Sequence, residues 1–92
     1  MTTYKLIISR FAQKQLDKLP NNVADQLIDA IYGLVENPRP AGCKKLKGKD
    51  GYRIRVGNYR IIYEIKGVST VEVLCIIHGM RLLKNHRKFK GE

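Results

Sequence analysis

The stretch of residues 52–63 constrains the fold of this chain more than any other. Over residues 52–56, apolar side chains alternate strictly with arginines, which is the period of a β-strand with one apolar and one cationic face. Gly57 and Asn58 then supply the two central residues of a tight turn, with glycine where a type II′ turn needs positive φ. The pattern predicts a β-hairpin whose second strand covers residues 59–66.

A two-residue turn fixes which residues of the two strands face each other. The predicted pairs are Val56 with Tyr59, Arg55 with Arg60, Ile54 with Ile61, Arg53 with Ile62, and Tyr52 with Tyr63. One side of the hairpin is then apolar, and the other, here called the arginine face, carries Arg53, Arg55 and Arg60. Like charges directly opposite each other destabilise a sheet by a few tenths to about 1 kcal/mol. We interpret the arginine face as a surface for a polyanion; the alternative is a set of arginines that only solvate it.

The net charge of +10 belongs to the second part of the chain. Residues 1–38 hold four basic and four acidic side chains, whereas residues 39–92 hold fourteen basic and four acidic ones. This distribution indicates a nucleic-acid partner, with a membrane surface as the alternative. Because no segment reaches the about 18 apolar residues of a spanning helix and no signal peptide opens the chain, we expect a cytoplasmic protein without a membrane partner.

A length of 92 residues allows one domain with a small core, which we place at residues 1–92. No repeat or low-complexity tract divides it. Its two cysteines, Cys43 and Cys75, lack the spacing of metal ligands, so we expect reduced thiols, no metal site and no cofactor.

Two amphipathic helices are predicted before the hairpin. A short apolar strand at residues 4–8 is followed by Ser9 as an N-cap and a helix to about Leu19. Asn22 is the expected cap of a second helix over residues 23–36, whose apolar stripe repeats at helical spacing. Helices joined by so short a turn should form a hairpin that buries its apolar side on the sheet. The fold class is therefore α+β, an antiparallel sheet of about four strands with a two-helix hairpin packed on one face.

The connection over residues 39–51 is rich in proline, glycine and lysine. We expect a solvated loop. Its lysines also lead directly into the arginine strand, so they are candidates to extend the cationic surface toward a phosphate backbone. These candidate RNA-binding residues are Lys44, Lys45, Lys47 and Lys49.

A third strand is predicted at residues 70–77, apolar on both faces in its final part, as in a covered strand. With a three-residue loop at residues 67–69, the side chains that join the arginine face would be Leu74, Ile76 and His78. The tail after the strand has no clear period, and a disordered basic segment is one interpretation of it. Its chemically able side chains are Arg81, His86, Arg87 and Lys88, whereas His78 is interpreted as a strand-end residue.

The order strand, helix, helix, strand, strand, strand and three short motifs together resemble the RelE branch of the RelE/ParE toxin superfamily. The motifs are Lys-Leu-Lys-Gly at residues 45–48, Tyr-Arg-Ile-Arg-Val-Gly at 52–57 and Asn-Tyr-Arg-Ile-Ile-Tyr at 58–63. The resemblance implies a metal-independent endoribonuclease that cleaves mRNA in the ribosomal A site and so inhibits translation. It also implies a RelB-like antitoxin, acidic and partly disordered, that wraps the toxin.

Carried over by position, the resemblance implies catalytic roles for Arg53, Arg55, Arg60, Arg81 and His86. His86 takes the place of the family's C-terminal catalytic tyrosine, which this chain lacks. The charge of the chain, rather than the resemblance, makes the four lysines, Arg87 and Lys88 candidates for RNA contacts. Two alternatives stay open: a ParE-like toxin of the same fold that inhibits DNA gyrase, and a non-catalytic RNA-binding module. The set of arginines at 53, 55, 60 and 81 favours RNA cleavage.

Overall fold

The predicted hairpin lies in the middle of the sheet in the computed structural model, which describes residues 4–46 and 51–79. Strands β3 (Gly51–Val56) and β4 (Tyr59–Lys66) pair antiparallel, with all five predicted cross-strand pairs present. Gly57 has a φ of 60°, a conformation that glycine adopts without steric cost, so two residues suffice to reverse the chain. The predicted register is confirmed.

Within the described residues the sheet has five strands rather than about four, in the order β1-β5-β4-β3-β2. The outer strand β1 (Lys5–Ile8) runs parallel to β5 (Thr70–His78), and the other pairings are antiparallel. The α+β class is confirmed, but the expectation of a purely antiparallel sheet is wrong. The cause is that the last strand of the meander lies beside the first strand of the chain, and parallel neighbours need a long connection between them rather than a hairpin.

A short strand, β2 (Lys44–Lys45), lies in the connection that was predicted to be a loop. Lys44 pairs with Arg53 and Lys45 with Tyr52. The Leu46 amide donates to the Gly51 carbonyl at 2.9 Å, which extends this ladder toward the start of β3. The expectation of a loop fails here because the unpaired edge of β3 offers backbone partners to the passing chain.

Two helices, α1 (Arg10–Asp17) and α2 (Asn21–Glu36), follow β1. The Ser9 hydroxyl caps α1 as predicted and accepts a hydrogen bond from the Ala12 amide at 3.0 Å. Asn22 does not cap α2, because the fixed φ of Pro20 already starts the helix at Asn21. Within the ranges described, neither helix has the length and apolarity needed to cross a membrane.

Both helices pack on one face of the sheet, which we call the helix-side face. The buried residues from the helices are Ala12, Leu16, Leu27, Ile31 and Leu34, and those from the sheet are Ile61, Tyr63, Val71, Val73 and Ile76. The Tyr63 hydroxyl donates to the Pro38 carbonyl at 2.7 Å, so its one polar atom is satisfied in the core. The predicted helical layer on a single face is confirmed.

Helix α1 also completes the edge of β5 where β1 ends. The Ser9 hydroxyl donates to the Leu74 carbonyl at 2.8 Å. The Gln15 side chain then bonds both the amide and the carbonyl of Ile76, each at 2.7 Å. Side chains thereby replace the missing strand and hold the end of β5 in place.

Candidate functional site

The arginine face contains the three arginines that the hairpin register was expected to bring together. Arg53, Arg55 and Arg60 all lie on the side of the sheet opposite the helices, with Arg55 exposed and the other two half-buried. The Gly51 carbonyl points toward β2, and backbone direction alternates along a strand, so residue 55 also points its backbone groups away from β4. Arg55 and Arg60 therefore form a non-hydrogen-bonded pair, the arrangement in which opposed side chains lie closer together.

Hydrogen bonds to backbone carbonyls hold two of these guanidinium groups. Arg60 donates through Nη1 to the Gly79 carbonyl at 2.8 Å, across a partly buried path. Arg55 donates through Nε to the Gly57 carbonyl at 3.2 Å, at the surface. Each group keeps further N–H donors for a ligand, because a guanidinium has five. No carboxylate neutralises either side chain within the described part of the chain.

Gly79 ties the end of β5 to the hairpin turn. Its amide donates to the Asn58 carbonyl at 2.7 Å, and its own carbonyl accepts from Arg60. With a φ of 61°, Gly79 adopts a conformation that other residues rarely take. This acceptor was not predicted from the sequence, although a glycine directly after a strand is a typical signal of a special backbone geometry.

The opposite end of the same face carries carboxylates. Glu64 and Glu72 face each other across β4 and β5, and Glu72 bonds Lys66 at 2.6 Å. The hydrogen bond to Glu72 raises the pKa of Lys66. A polyanion is consequently favoured at the hairpin end of the face and disfavoured at the far end.

A small apolar cluster lies between these two charged ends. Ile62, Cys75 and Ile77 are buried there, with Phe11, Leu46 and Leu74 packed around them. Burial raises the pKa of the Cys75 thiol to about 11, so at neutral pH it is a neutral side chain of the cluster. The apolar run at the end of β5 was predicted to be covered on both faces, and the two clusters confirm this.

A β-bulge changes which side chains of β5 belong to the arginine face. Ile62 pairs with Cys75 and Tyr63 with Val73, so Leu74 is an extra residue on β5. The loop has the assumed three residues, and Leu74 does lie on the arginine face. Beyond the bulge, however, the alternation reverses, so that Cys75 and Ile77 lie on the arginine face and Ile76 and His78 do not.

His78 lies on the helix-side face, where it stacks on Tyr59. The two ring centroids are 4.4 Å apart with an interplanar angle of 13°. The side chain is exposed at the end of β5. This position agrees with its interpretation as a strand-end residue.

The lysines of the connection divide between the two faces. Lys44 pairs with Arg53 and so joins the arginine face, whereas Lys45 pairs with Tyr52 and points to the other side. A single continuous lysine surface is therefore not formed by these two residues. The remaining predicted site residues lie outside the described residues: Lys47, Lys49, Arg81, His86, Arg87 and Lys88.

An aromatic and cationic group that the sequence did not single out lies at the other end of the hairpin. The Arg39 Nε donates to the Tyr52 hydroxyl at 3.1 Å, and its guanidinium carbon lies 5.4 Å from the ring centroid. This hydrogen bond raises the pKa of Arg39. The rings of Tyr52 and Tyr63 stack with their centroids 5.8 Å apart. Arg39 therefore contacts the edge of the core and is not part of the arginine face.

The described arginines can bind and stabilise negative charge, but a guanidinium group does not serve as a general base. Arginine remains charged and grips two phosphate oxygens at once, which suits a pentacoordinate phosphate transition state. Within residues 4–46 and 51–79, no group of three or more metal-ligating side chains occurs. The chemistry that these residues support is therefore electrostatic.

Comparisons with known proteins agree with this geometry. A model of the family described as the ParE toxin of type II toxin–antitoxin systems matches residues 6–83. No curated protein sequence gives a significant match.

Solved structures similar to this chain are RelE toxins and their complexes. A chain of the intact RelBE toxin–antitoxin complex of E. coli is 31% identical, with a TM-score of 0.70 over 85% of this chain and 99% of that chain. A chain of the RelE–RelB complex of Pyrococcus horikoshii is 28% identical, with a TM-score of 0.77 over 87% and 99%. A mutant of E. coli toxin RelE in the free state is 26% identical, with a TM-score of 0.76 over 98% and 97%.

Proposed function

This chain belongs to the ParE toxin family of type II toxin–antitoxin systems, and from that premise we propose that it is a ribosome-dependent endoribonuclease. Its substrate is mRNA in the ribosomal A site, and its effect is to stop translation in the cytoplasm. The fold supports this proposal, since several similar solved structures are RelE toxins or their complexes.

The observation that carries the proposal is the opposed pair of Arg55 and Arg60, with Arg53 beside it. A sequence selected only for folding has no reason to keep two guanidinium groups directly opposite each other. A phosphodiester bound between the two guanidinium groups offsets their mutual repulsion, so that both groups attract the ligand. The carboxylates at the far end of the face favour one position for the phosphate, next to the hairpin turn.

The reaction that fits these residues is attack of the ribose 2′-oxygen on the adjacent phosphorus. The bond from phosphorus to the 5′-oxygen breaks, leaving a 2′,3′-cyclic phosphate and a 5′-hydroxyl. The proton of the 2′-hydroxyl passes to solvent water, and the 5′-oxygen takes a proton from the imidazolium of His86. Arg53, Arg55 and Arg60 stabilise the charge that develops on the phosphorane oxygens. Arg81 adds a further positive charge, and His86 acts as the general acid because an imidazole titrates near neutral pH.

The ribosome supplies what the toxin lacks. A site made chiefly of arginines stabilises charge well but does not by itself align the 2′-oxygen with the leaving group. Holding the mRNA in the A site provides that alignment. The lysines at 44, 45, 47 and 49, with Arg87 and Lys88, contact the surrounding RNA backbone.

The partner that restrains the toxin is a RelB-like antitoxin. Five of the similar solved structures are complexes of RelE with RelB or a RelB peptide, or of a RelBE pair. A protein of net charge +10 is complemented by an acidic, partly disordered segment that folds on its surface.

A second candidate function follows from the family model, which is that of ParE toxins. A ParE-like toxin would inhibit DNA gyrase and leave mRNA intact. The arginine face weighs against this candidate because it gathers guanidinium groups around a single point, as phosphate chemistry requires.

Primer extension on a defined mRNA in a purified translation reaction tests the proposal. The reaction is run with and without the protein, and the same mRNA without ribosomes is the control. We expect cuts in frame with codons that appear only when ribosomes are present. Intact mRNA together with loss of gyrase supercoiling activity would instead establish the second candidate.

A further inference from the structure

The two opposed guanidinium groups of the arginine face are held in the same way. Arg60 donates to the carbonyl of Gly79 at 2.8 Å. Arg55 donates to the carbonyl of Gly57 at 3.2 Å. Both acceptors are glycines with positive φ, 61° at Gly79 and 60° at Gly57. Within residues 4–46 and 51–79, four residues have positive φ, and two of these four anchor the opposed arginines.

The left-handed conformation of Gly79 turns its carbonyl out of the sheet. In an extended residue, the N–H and C=O groups point toward the same neighbouring strand, within the plane of the sheet. The Gly79 amide still does so, since it donates to the Asn58 carbonyl at 2.7 Å. Its carbonyl instead accepts from the side chain of Arg60, and side chains stand out of that plane. The φ of 61° separates the directions of the two groups.

Conformation rather than packing accounts for glycine at position 79. A Cβ built on Gly79 meets no described atom within 4 Å, so there is room for a side chain. A positive φ, however, is a conformation that residues with a Cβ rarely adopt, least of all β-branched ones. The glycine therefore sets the direction of its carbonyl and, through the hydrogen bond, the position of the Arg60 guanidinium.

A carbonyl acceptor is well matched to a guanidinium group that must keep its charge. A carboxylate in the same place would hold Arg60 but would also neutralise it. The Gly79 carbonyl holds the Nη1 group and leaves both the net positive charge and the other N–H donors available to a ligand. It also keeps the side chain from turning away from Arg55, as repulsion between the two groups would favour.

We propose that Gly79 is a positioning residue, which orients the Arg60 guanidinium toward the phosphate position beside Arg55. The proposal rests on the proposed function only for the identity of that phosphate as the scissile group of mRNA. Because the side chain is ordered before the ligand arrives, binding does not have to restrict its rotamers. The Gly79 amide bonds the hairpin turn, so the turn that holds Arg55 also holds the acceptor of Arg60.

The substitution Gly79→Val tests the role of the backbone conformation. Valine rarely adopts a positive φ, so the carbonyl should leave its position and release Arg60. Gly67→Val is the matched control, because Gly67 has a φ of 60° and its Cβ would likewise meet no described atom within 4 Å. Gly67 follows β4 at the end opposite to Arg60. Both variants disturb a left-handed glycine, and only Gly79→Val removes the acceptor of an arginine.

Two measurements on the full chain report the result. NMR without RNA follows the exchange of the Arg60 Nη1 protons with solvent, which should become faster in Gly79→Val and stay slow in Gly67→Val. Ribosome-dependent cleavage, corrected for the folded fraction, should fall about tenfold or more in Gly79→Val, as expected when a catalytic group is misplaced. Gly67→Val should cleave at the wild-type rate.

A D-alanine at position 79 separates the backbone conformation from the presence of a side chain. Its stereochemistry favours positive φ, so it should keep the slow Nη1 exchange of Arg60 and the wild-type cleavage rate. The chain can be assembled chemically, because Cys43 and Cys75 divide it into segments suitable for ligation. A synthetic wild-type chain is the control. Loss of cleavage with D-alanine equal to that in Gly79→Val would contradict a role of the conformation.

The outcomes distinguish this inference from the proposed function. Equal cleavage by Gly79→Val and Gly67→Val, or unchanged Nη1 exchange in Gly79→Val, would overturn the positioning role alone. A wild-type chain that cuts no mRNA would refute the endoribonuclease proposal instead. Binding of inorganic phosphate, followed by NMR at Arg55 and Arg60, then decides the positioning role. Weaker binding by Gly79→Val than by Gly67→Val would support that role, and equal binding would refute it.

Discussion

The two faces of the sheet use the same strands for opposite purposes. On the helix-side face, Ile61 and Tyr63 are fully buried under both helices, and the buried side-chain polar atoms of the described residues all have hydrogen-bond partners. On the arginine face, Arg55 and Arg60 oppose each other without a neutralising carboxylate among the described residues. Burial of apolar side chains accounts for the helix-side face, whereas the opposed charges of the arginine face destabilise the folded state.

This difference shows where function lies in the molecule. Residues on the helix-side face satisfy packing, hydrogen bonding and charge at the same time, as a stable core requires. The arginine face breaks one of these rules at a single point, between the turn and Gly79. A destabilising contact that is held within an otherwise well-packed structure is typical of a binding site.

The largest expected effect is on stability, and it differs between two neighbouring residues of β4 whose side chains lie on opposite faces of the sheet. Ile61→Ala opens a cavity under the helices and should cost about 4 kcal/mol of unfolding free energy. Ile62→Ala, in the smaller cluster beside the arginines, should cost about 2 kcal/mol. Urea unfolding of both variants measures the difference, and equal losses would contradict the unequal packing of the two faces.

The next effect concerns activity rather than stability. Arg60→Ala should reduce ribosome-dependent cleavage by about 10²-fold or more, the usual loss when a preorganised donor to a transition state is removed. Arg10→Ala is the matched control, because it removes the same charge from an exposed position at the start of α1. A loss below about tenfold in Arg60→Ala would remove this residue from the proposed mechanism.

A smaller effect tests the polar atom of the core through its pH dependence. Tyr63→Phe leaves the Pro38 carbonyl unpaired and should cost about 1–3 kcal/mol at neutral pH. Burial raises the pKa of Tyr63 above its ordinary value of 10.0, so the folded state keeps this proton longer than the unfolded state. Its contribution is full below pH 10.0 and is lost as the pH rises through the folded pKa.

As the pH rises above 10.0, the variant should therefore lose less stability than the wild type, as followed by circular dichroism. Part of the decline should persist, because the pKa of Cys75 is also raised, to about 11. Identical alkaline curves for Tyr63→Phe and the wild type would show that Tyr63 is not the group that titrates.

The hairpin and its arginines could be predicted from the sequence because the determinants are local. Gly57 fixes the turn, the turn fixes the register, and the register places Arg55 opposite Arg60. The helical layer follows in the same way from the spacing of its apolar residues.

The features that the sequence missed depend on residues far apart in the chain. The bulge at Leu74 reverses the alternation of β5 only in the context of its pairing with β4, and the parallel pairing of β1 depends on where β5 ends up. The acceptor of Arg60 is a carbonyl 19 residues away, which no local pattern reveals.

The most direct test of the conflict between the arginine face and folding is to measure stability and cleavage together in Arg55→Gln. The change keeps a polar side chain at an exposed position and removes one of the two opposed charges. We expect unfolding free energy to rise by a few tenths to about 1 kcal/mol, while the cleavage rate falls by about tenfold or more. A variant that is less stable than the wild type, or that cleaves mRNA equally fast, would contradict the account.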